Sequence, residues 1–154
     1  MKLLYIAVLH LFLLNVAAAQ TTQLNNFDEL MTALNTGESV RAVIHYGKCE
    51  LIIDSVSVEA PDAVGGMEFQ TFEYFARMSI RNEKAYVTTS ETVLIGHPYY
   101  GYVYNYAKLR IYEDNFVQII ARYLDPKSYE VKMDETFTTI INDGNNEGAI
   151  YLYK

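Results

Sequence analysis

The chain has 154 residues, with 12 Lys and Arg against 19 Asp and Glu, for a formal net charge of −7 at neutral pH. An acidic chain without clustered cations has no means of displacing phosphate counterions, which excludes nonspecific nucleic-acid binding, and an anionic membrane surface repels it on average. A single cysteine, Cys49, excludes an internal disulfide, so a hydrophobic core must hold the fold.

The first nineteen residues have the pattern of a secretory signal peptide. Lys2 is a positive n-region, Leu3 to Val16 is an almost unbroken apolar run, and Ala17-Ala18-Ala19 is an A-x-A cleavage site ahead of Gln20. The run is too short and wrongly flanked for a membrane span. The expected product is residues 20–154, one exported domain, secreted or periplasmic in a two-membrane bacterium. Losing Lys2 with the leader moves the charge from −7 by one, to −8. No N-x-S/T acceptor and no second long apolar stretch follow the leader, so a soluble, unglycosylated product without a transmembrane segment is expected.

Gln20 to Asn25 is polar and reads as a frayed lead-in. One helix follows: Asn26 is a candidate N-cap with Glu29 three positions on. Phe27, Leu30, Met31 and Leu34 recur at helical spacing, and Gly37 supplies the stop. Its length is too small to persist alone, so it must pack on a sheet.

Everything after Gly37 reads as strands. Ser39–Tyr46 and Glu50–Ile53 flank Gly47-Lys48, and Gly65-Gly66 reads as a chain break. Met67–Phe75 reads as one aromatic strand in which Phe69, Thr71, Glu73 and Phe75 share a face. Arg77–Ile80 and Lys84–Thr88 flank Arg81-Asn82-Glu83, a predicted hairpin turn. The strongest signal is Tyr102–Tyr112, where odd positions (Val103, Asn105, Ala107, Leu109, Ile111) are largely aliphatic and even positions are aromatic or cationic. Glu113-Asp114-Asn115 is a tight turn with Asn115 suited to positive φ, and Phe116–Leu124 returns to Asp125-Pro126. Tyr129–Met133, Thr136–Ile141 and Ala149–Tyr153 complete the set, the last two joined by the turn-rich segment 142–148. Many short strands at this spacing predict a mainly β fold, an antiparallel sandwich or barrel with one short N-terminal helix; an α+β arrangement on one sheet is the runner-up.

Leu30, Leu34, Gly37, Val40 and Cys49 form the start of a familiar pattern. It continues through Val64-Gly65-Gly66, Thr88-Thr89-Ser90-Glu91-Thr92 and Tyr106–Tyr112, and closes with Tyr129-Glu130-Val131 and the strand ending at Tyr153. On these residues the chain resembles the VirK-like family of small exported proteins, known mainly from bacteria. The resemblance implies an exported protein, in a family some of whose members belong to host-interacting bacteria and whose biochemical activity is not established. It supplies no catalytic or binding residues to carry over.

The residues themselves offer little catalytic chemistry. A thiol nucleophile would need Cys49 beside His45 or His97. His45 lies four residues back on the same strand, roughly 13 Å away if the chain is extended. Neither C-x-x-C nor H-x-x-x-H spacing exists, so no metal or other cofactor is predicted, and the acids of 143–147 lack the EF-hand order. Glu130, Asp134 and Glu135 read as a solvated strand end, and Gly65-Gly66 is too short to cradle phosphate.

The tyrosines point elsewhere. Six of them fall between Tyr99 and Tyr112. Tyrosine offers a rigid contact surface with a polar tip, and Tyr102, Tyr104, Tyr106, Lys108 and Arg110 share one parity. The expected function is non-enzymatic: an interaction domain that meets an extracellular protein or glycan through this face. The bland reading of the same residues is a sheet wall covered by a second layer. One alternative is a barrel carrying a small apolar ligand, although the chain has no Trp for a lipocalin-type Gly-x-Trp motif. A weaker one is a cysteine-dependent hydrolase; a free Cys49 could otherwise pair between chains. Pattern alone leaves the oligomeric state open.

Overall fold

Capping and apolar spacing place the helix where the sequence puts it. In the computed structural model, which describes residues 21–53 and 56–154, helix α1 spans Phe27–Asn35. The Asn26 side chain accepts from the Glu29 N–H at 2.9 Å, and the Glu29 carboxylate reaches back to the Asn25 N–H at 2.8 Å. Two donors left orphaned by helix geometry are thereby satisfied. Phe27, Leu30, Ala33 and Leu34 form the buried stripe, and Gly37 ends the helix at φ +76°. The leader, residues 1–19, lies outside the described residues.

Eleven strands follow from the described residues: β1 (Gln23–Leu24), β2 (Arg41–His45), β3 (Glu50–Ile53), β4 (Val56–Val58), β5 (Val64–Glu68), β6 (Glu73–Phe75), β7 (Tyr86–His97), β8 (Gly101–Tyr112), β9 (Phe116–Leu124), β10 (Val131–Ile140) and β11 (Ile150–Tyr153). They form two antiparallel sheets, a four-stranded one ordered β1-β11-β2-β5 and a seven-stranded one ordered β4-β3-β10-β9-β8-β7-β6. The arrangement is sandwich-like and not a closed barrel.

The core sits between the sheets and under α1. Odd residues of β8 and β9 point into it: Val103, Leu109, Ile111, Val117 and Ile119 are all essentially inaccessible. They meet Ile44, Ile150 and Leu152 from the smaller sheet and Leu30 from the helix. Burying such side chains stabilises by about 1.5–3 kcal/mol each relative to exposure. A core of this extent accounts for a fold without a disulfide, Cys49 being free.

Several local expectations are corrected. Gln23 and Leu24 are not frayed but pair with Tyr153 and Leu152. The aromatic stretch 67–75 is two strands in different sheets, because Phe69 turns into the core and the chain crosses between layers over residues 70–72. Arg77–Ile80 is a loop: Met78 and Arg81 have φ of 63° and 67°. The Asn82 amide holds that loop by donating to the carbonyls of Ala76 and Lys84 at 2.9 and 2.8 Å. Residues 131–140 are one strand with an irregular register near Met133, not two.

Two glycine-rich segments also differ from the pattern reading. Gly65 and Gly66 do not break the chain but lie inside β5, paired with Ile44 and Val43. The turn-rich segment 142–148 does not join neighbouring strands of one sheet. It carries the chain from β10 in the larger sheet to β11 in the smaller, ordered by the buried Asn142. That amide donates to the Gly148 carbonyl at 2.8 Å and accepts from the Gly144 N–H at 2.9 Å.

Candidate functional site

Strand alternation leaves the even residues of β8 on the face turned away from the core. Register places Tyr102 beside Gly96 of β7. Tyr104 lies between Leu94 and Leu124, Tyr106 between Thr92 and Arg122, Lys108 between Ser90 and Ile120, and Arg110 between Thr88 and Gln118. The five sequence-predicted residues thus stand in one row on the outer face of the seven-stranded sheet. Tyr102 is 72% exposed, and the other four are half-exposed. No second layer among the described residues closes over the row.

The face has two parts. At one end an aromatic group covers itself: Tyr86 stacks on Phe75 at 5.0 Å, leans on Tyr112 at 5.6 Å, and carries the Arg110 guanidinium 5.0 Å above its ring. Tyr86 is thereby buried although it faces outward. At the other end Tyr102 stands in solvent and Tyr104 and Tyr106 are half-buried, with Tyr104 lying nearly parallel to Tyr129 at 6.5 Å. Tyr129 reaches that position through positive φ in the Asp125–Glu130 turn.

Charge on the face is unequally satisfied. Arg122 pairs with Asp134 at 2.9 Å across β9 and β10. Arg110 and Lys108 have no carboxylate partner among the described residues; Arg110 has only the Gln118 amide oxygen at 3.4 Å and the Tyr112 hydroxyl at 3.5 Å. Its Nε is buried without any partner. An incoming acidic group would complete the hydrogen bonding of a cation already desolvated against aromatic rings.

The other candidates do not assemble. The Cys49 thiol lies 3.7 Å from the His45 carbonyl oxygen, its only polar partner among the described residues, while the His45 ring packs edge-on against Tyr151 at 5.3 Å. Burial pushes the thiol up to about 11, the opposite of what a nucleophilic thiolate requires. His97 ends β7, and its Nδ1 accepts from the N–H groups of Tyr99 and Tyr100 at 3.2 and 3.3 Å. Asp143 organises its own turn by accepting from the Asn145 N–H. Among the described residues no three metal-ligating side chains gather. The space between the sheets is filled by core side chains, and the recess at its margin, about 340 Å³, is an open one with Glu91 and Asn105 in its wall.

Two features escape the sequence reading. One is the group of His97, Tyr100 and Tyr123 at the end of β7, with His97 4.8 Å from Tyr100 and 5.0 Å from Tyr123. The other is the length of β7, which runs far beyond Thr88. The β-branched stretch Thr92-Val93 followed by Leu94-Ile95 was the available signal for it.

A family model described as VirK protein matches residues 23–129. No curated protein matches the chain. Among solved structures, the crystal structure of a VirK family protein from Legionella pneumophila superposes with a TM-score of 0.65 at 16% identity, covering 86% of this chain and 98% of that one. At that identity the likeness speaks to the fold. Strands β10 and β11 lie beyond the family model but within the sheets described above.

Proposed function

This chain belongs to the VirK family, and from that premise and the geometry of the outer sheet face we propose that it is an exported, non-enzymatic binding protein whose contact surface is the open tyrosine row of β8. The observation that carries the reading is the position of Tyr102, Tyr104 and Tyr106, in one row on a face that no other layer among the described residues covers. Large aromatic side chains with polar tips are enriched at the centres of interfaces because they bury much area for little entropy. Lys108 and Arg110, without a carboxylate partner among the described residues, favour a protein partner with acidic side chains at its surface. Export is supported by the leader pattern of residues 1–19 and is checked by the N-terminus of the released chain, expected at Gln20.

The test compares residues 20–154 with a Tyr102→Ala/Tyr104→Ala variant as bait in the producer's own medium and against a glycan array. A protein retained by the first bait and lost with the second supports the reading. Retention by both baits places the contact elsewhere, and tyrosine-dependent binding on the array alone would shift the partner class to glycans.

A further inference from the structure

We propose that β7 is a self-association edge: two copies of the chain pair antiparallel along Glu91–His97 about a two-fold axis at Leu94. This goes beyond the tyrosine-face reading and does not rest on it.

Edge strands present unpaired N–H and C=O groups, and proteins keep such edges short, charged or covered. The other outer strands here obey that rule. Strands β1, β4, β6 and β5 have two, three, three and five residues. Strand β7 does not. Of its twelve residues, β6 covers only Tyr86, Val87 and Thr88, which leaves nine, Thr89 to His97, with no backbone partner on that side among the described residues. The open stretch has no Lys, Arg or Pro, and its large apolar residues are bare: Val93 is 47% and Leu94 52% exposed. It ends in Pro98, which cannot continue a ladder.

What selects a second copy as occupant is the sequence of the edge itself. Antiparallel pairing about Leu94 sets Glu91 against His97 of the other chain twice, once at each end, and brings Val93 against Ile95 of the other chain on the same face. The opposite face joins Leu94 to its own counterpart and Thr92 to Gly96, where the missing side chain leaves room. The imidazole is prepared for this pairing. Its Nδ1 accepts from the turn N–H groups, so Nε2 carries the proton and can donate to the carboxylate. Glu91 has no cationic partner of its own among the described residues. About Leu94 the seven residues Glu91–His97 of one β7 face the same seven of the other, within the nine-residue opening, and the two seven-stranded sheets become one continuous sheet.

The test uses residues 20–154, first by sedimentation over a concentration series and then by cross-linking in a Cys49→Ser background. Leu94→Cys should form a disulfide-linked dimer on oxidation, since facing residues lie within bridging distance. Thr92→Cys should not, because the two copies of that residue would be about 13 Å apart along the strands. His97→Glu should weaken dimerisation at least about tenfold by setting two carboxylates opposite one another, and Glu91→Lys should weaken it by facing the Nε2–H donor with another donor. Mixing these two variants should restore it, because every facing pair is then of opposite sign or hydrogen-bonded. Circular dichroism of each variant confirms the native fold. A chain that sediments as a monomer throughout, a dimer that cross-links through Thr92→Cys, or a mixture no tighter than its components would overturn the proposal.

Discussion

The ring of Tyr46 lies flat enough over Gly65 that a Cβ added there would stand 2.9 Å from its Cε2 carbon. The ring is also held edge-on by Phe137 at 5.0 Å, so it has little freedom to withdraw. Gly65→Ala should therefore lower unfolding free energy by about 1–3 kcal/mol, the usual range for an overpacked site. Much of that loss should vanish in a Tyr46→Ala background, a coupling that denaturant titration of the double-mutant cycle would reveal. Equal losses in both backgrounds would mean the ring is not the obstacle.

Asn115 performs two tasks at the β8–β9 turn. It adopts φ of 67°, and its side-chain oxygen accepts from the N–H of Phe27 at 2.8 Å, tying the start of α1 to the sheet. Asn115→Ala forfeits both and should cost roughly 2 kcal/mol, while Asn115→Gly keeps the backbone conformation and should cost about 1 kcal/mol. Thermal unfolding of the two variants gives the order, and an alanine variant as stable as the glycine one contradicts it.

The crossover between the sheets depends on one buried amide. Replacing Asn142 by Ala strands the buried Gly148 carbonyl, which it now serves, and leaves the exposed Gly144 N–H to water. An unsatisfied buried polar group costs about 1–3 kcal/mol, and the loss should exceed that of any exposed polar-to-Ala change in the same loop, such as Asp143→Ala. Hydrogen exchange should show the amides of β11 opening first.

Acid should weaken the fold at the Asp125 turn. Backbone N–H groups of Ser128 and Lys127 hold the Asp125 carboxylate below its ordinary value of 3.8. A carboxylate depressed in the folded state contributes stability above its unfolded value, and the contribution is lost as pH falls through the folded one. Stability should thus decline below about pH 4, and Asp125→Asn should show a shallower decline there. Identical acid profiles for the two proteins would remove Asp125 from the account.

Cys49 titrates in the opposite direction. Its thiol is pushed up to about 11 by burial, so the unfolded chain ionises first and stability should fall as pH rises from about 9 to about 11. Alkylation of native protein should be slow at pH 8 and continue to accelerate past pH 9, where an ordinary thiol levels off. Rapid labelling at neutral pH would show an accessible thiolate that this packing does not provide.

Patterns that repeat along one element were legible in the sequence. Alternation in Tyr102–Tyr112 placed the correct residues on the outer face, and the Asn26 and Glu29 pair marked the helix start, because each depends on neighbours a few positions away. What the sequence concealed was pairing across distance. Alternation in 67–75 carries no mark of the change of sheet at Phe69, and Gly65-Gly66 looks like a break until Tyr46 is seen to need the space. The candidate face was visible as a stripe of tyrosines. The open edge beside it was not, since it exists only because β6 stops three residues along β7.

Strand β11 fills the middle of the four-stranded sheet, between β1 and β2, and the first and last described strands meet there, with Thr22 and Lys154 exchanging backbone hydrogen bonds at 2.9 Å. During synthesis, β1 and β2 emerge early and wait without the strand that joins them until residues 150–153 have left the ribosome. The smaller layer of the sandwich is therefore completed late, and a chain halted before residue 150 would lack the strand that joins β1 to the β2–β5 pair.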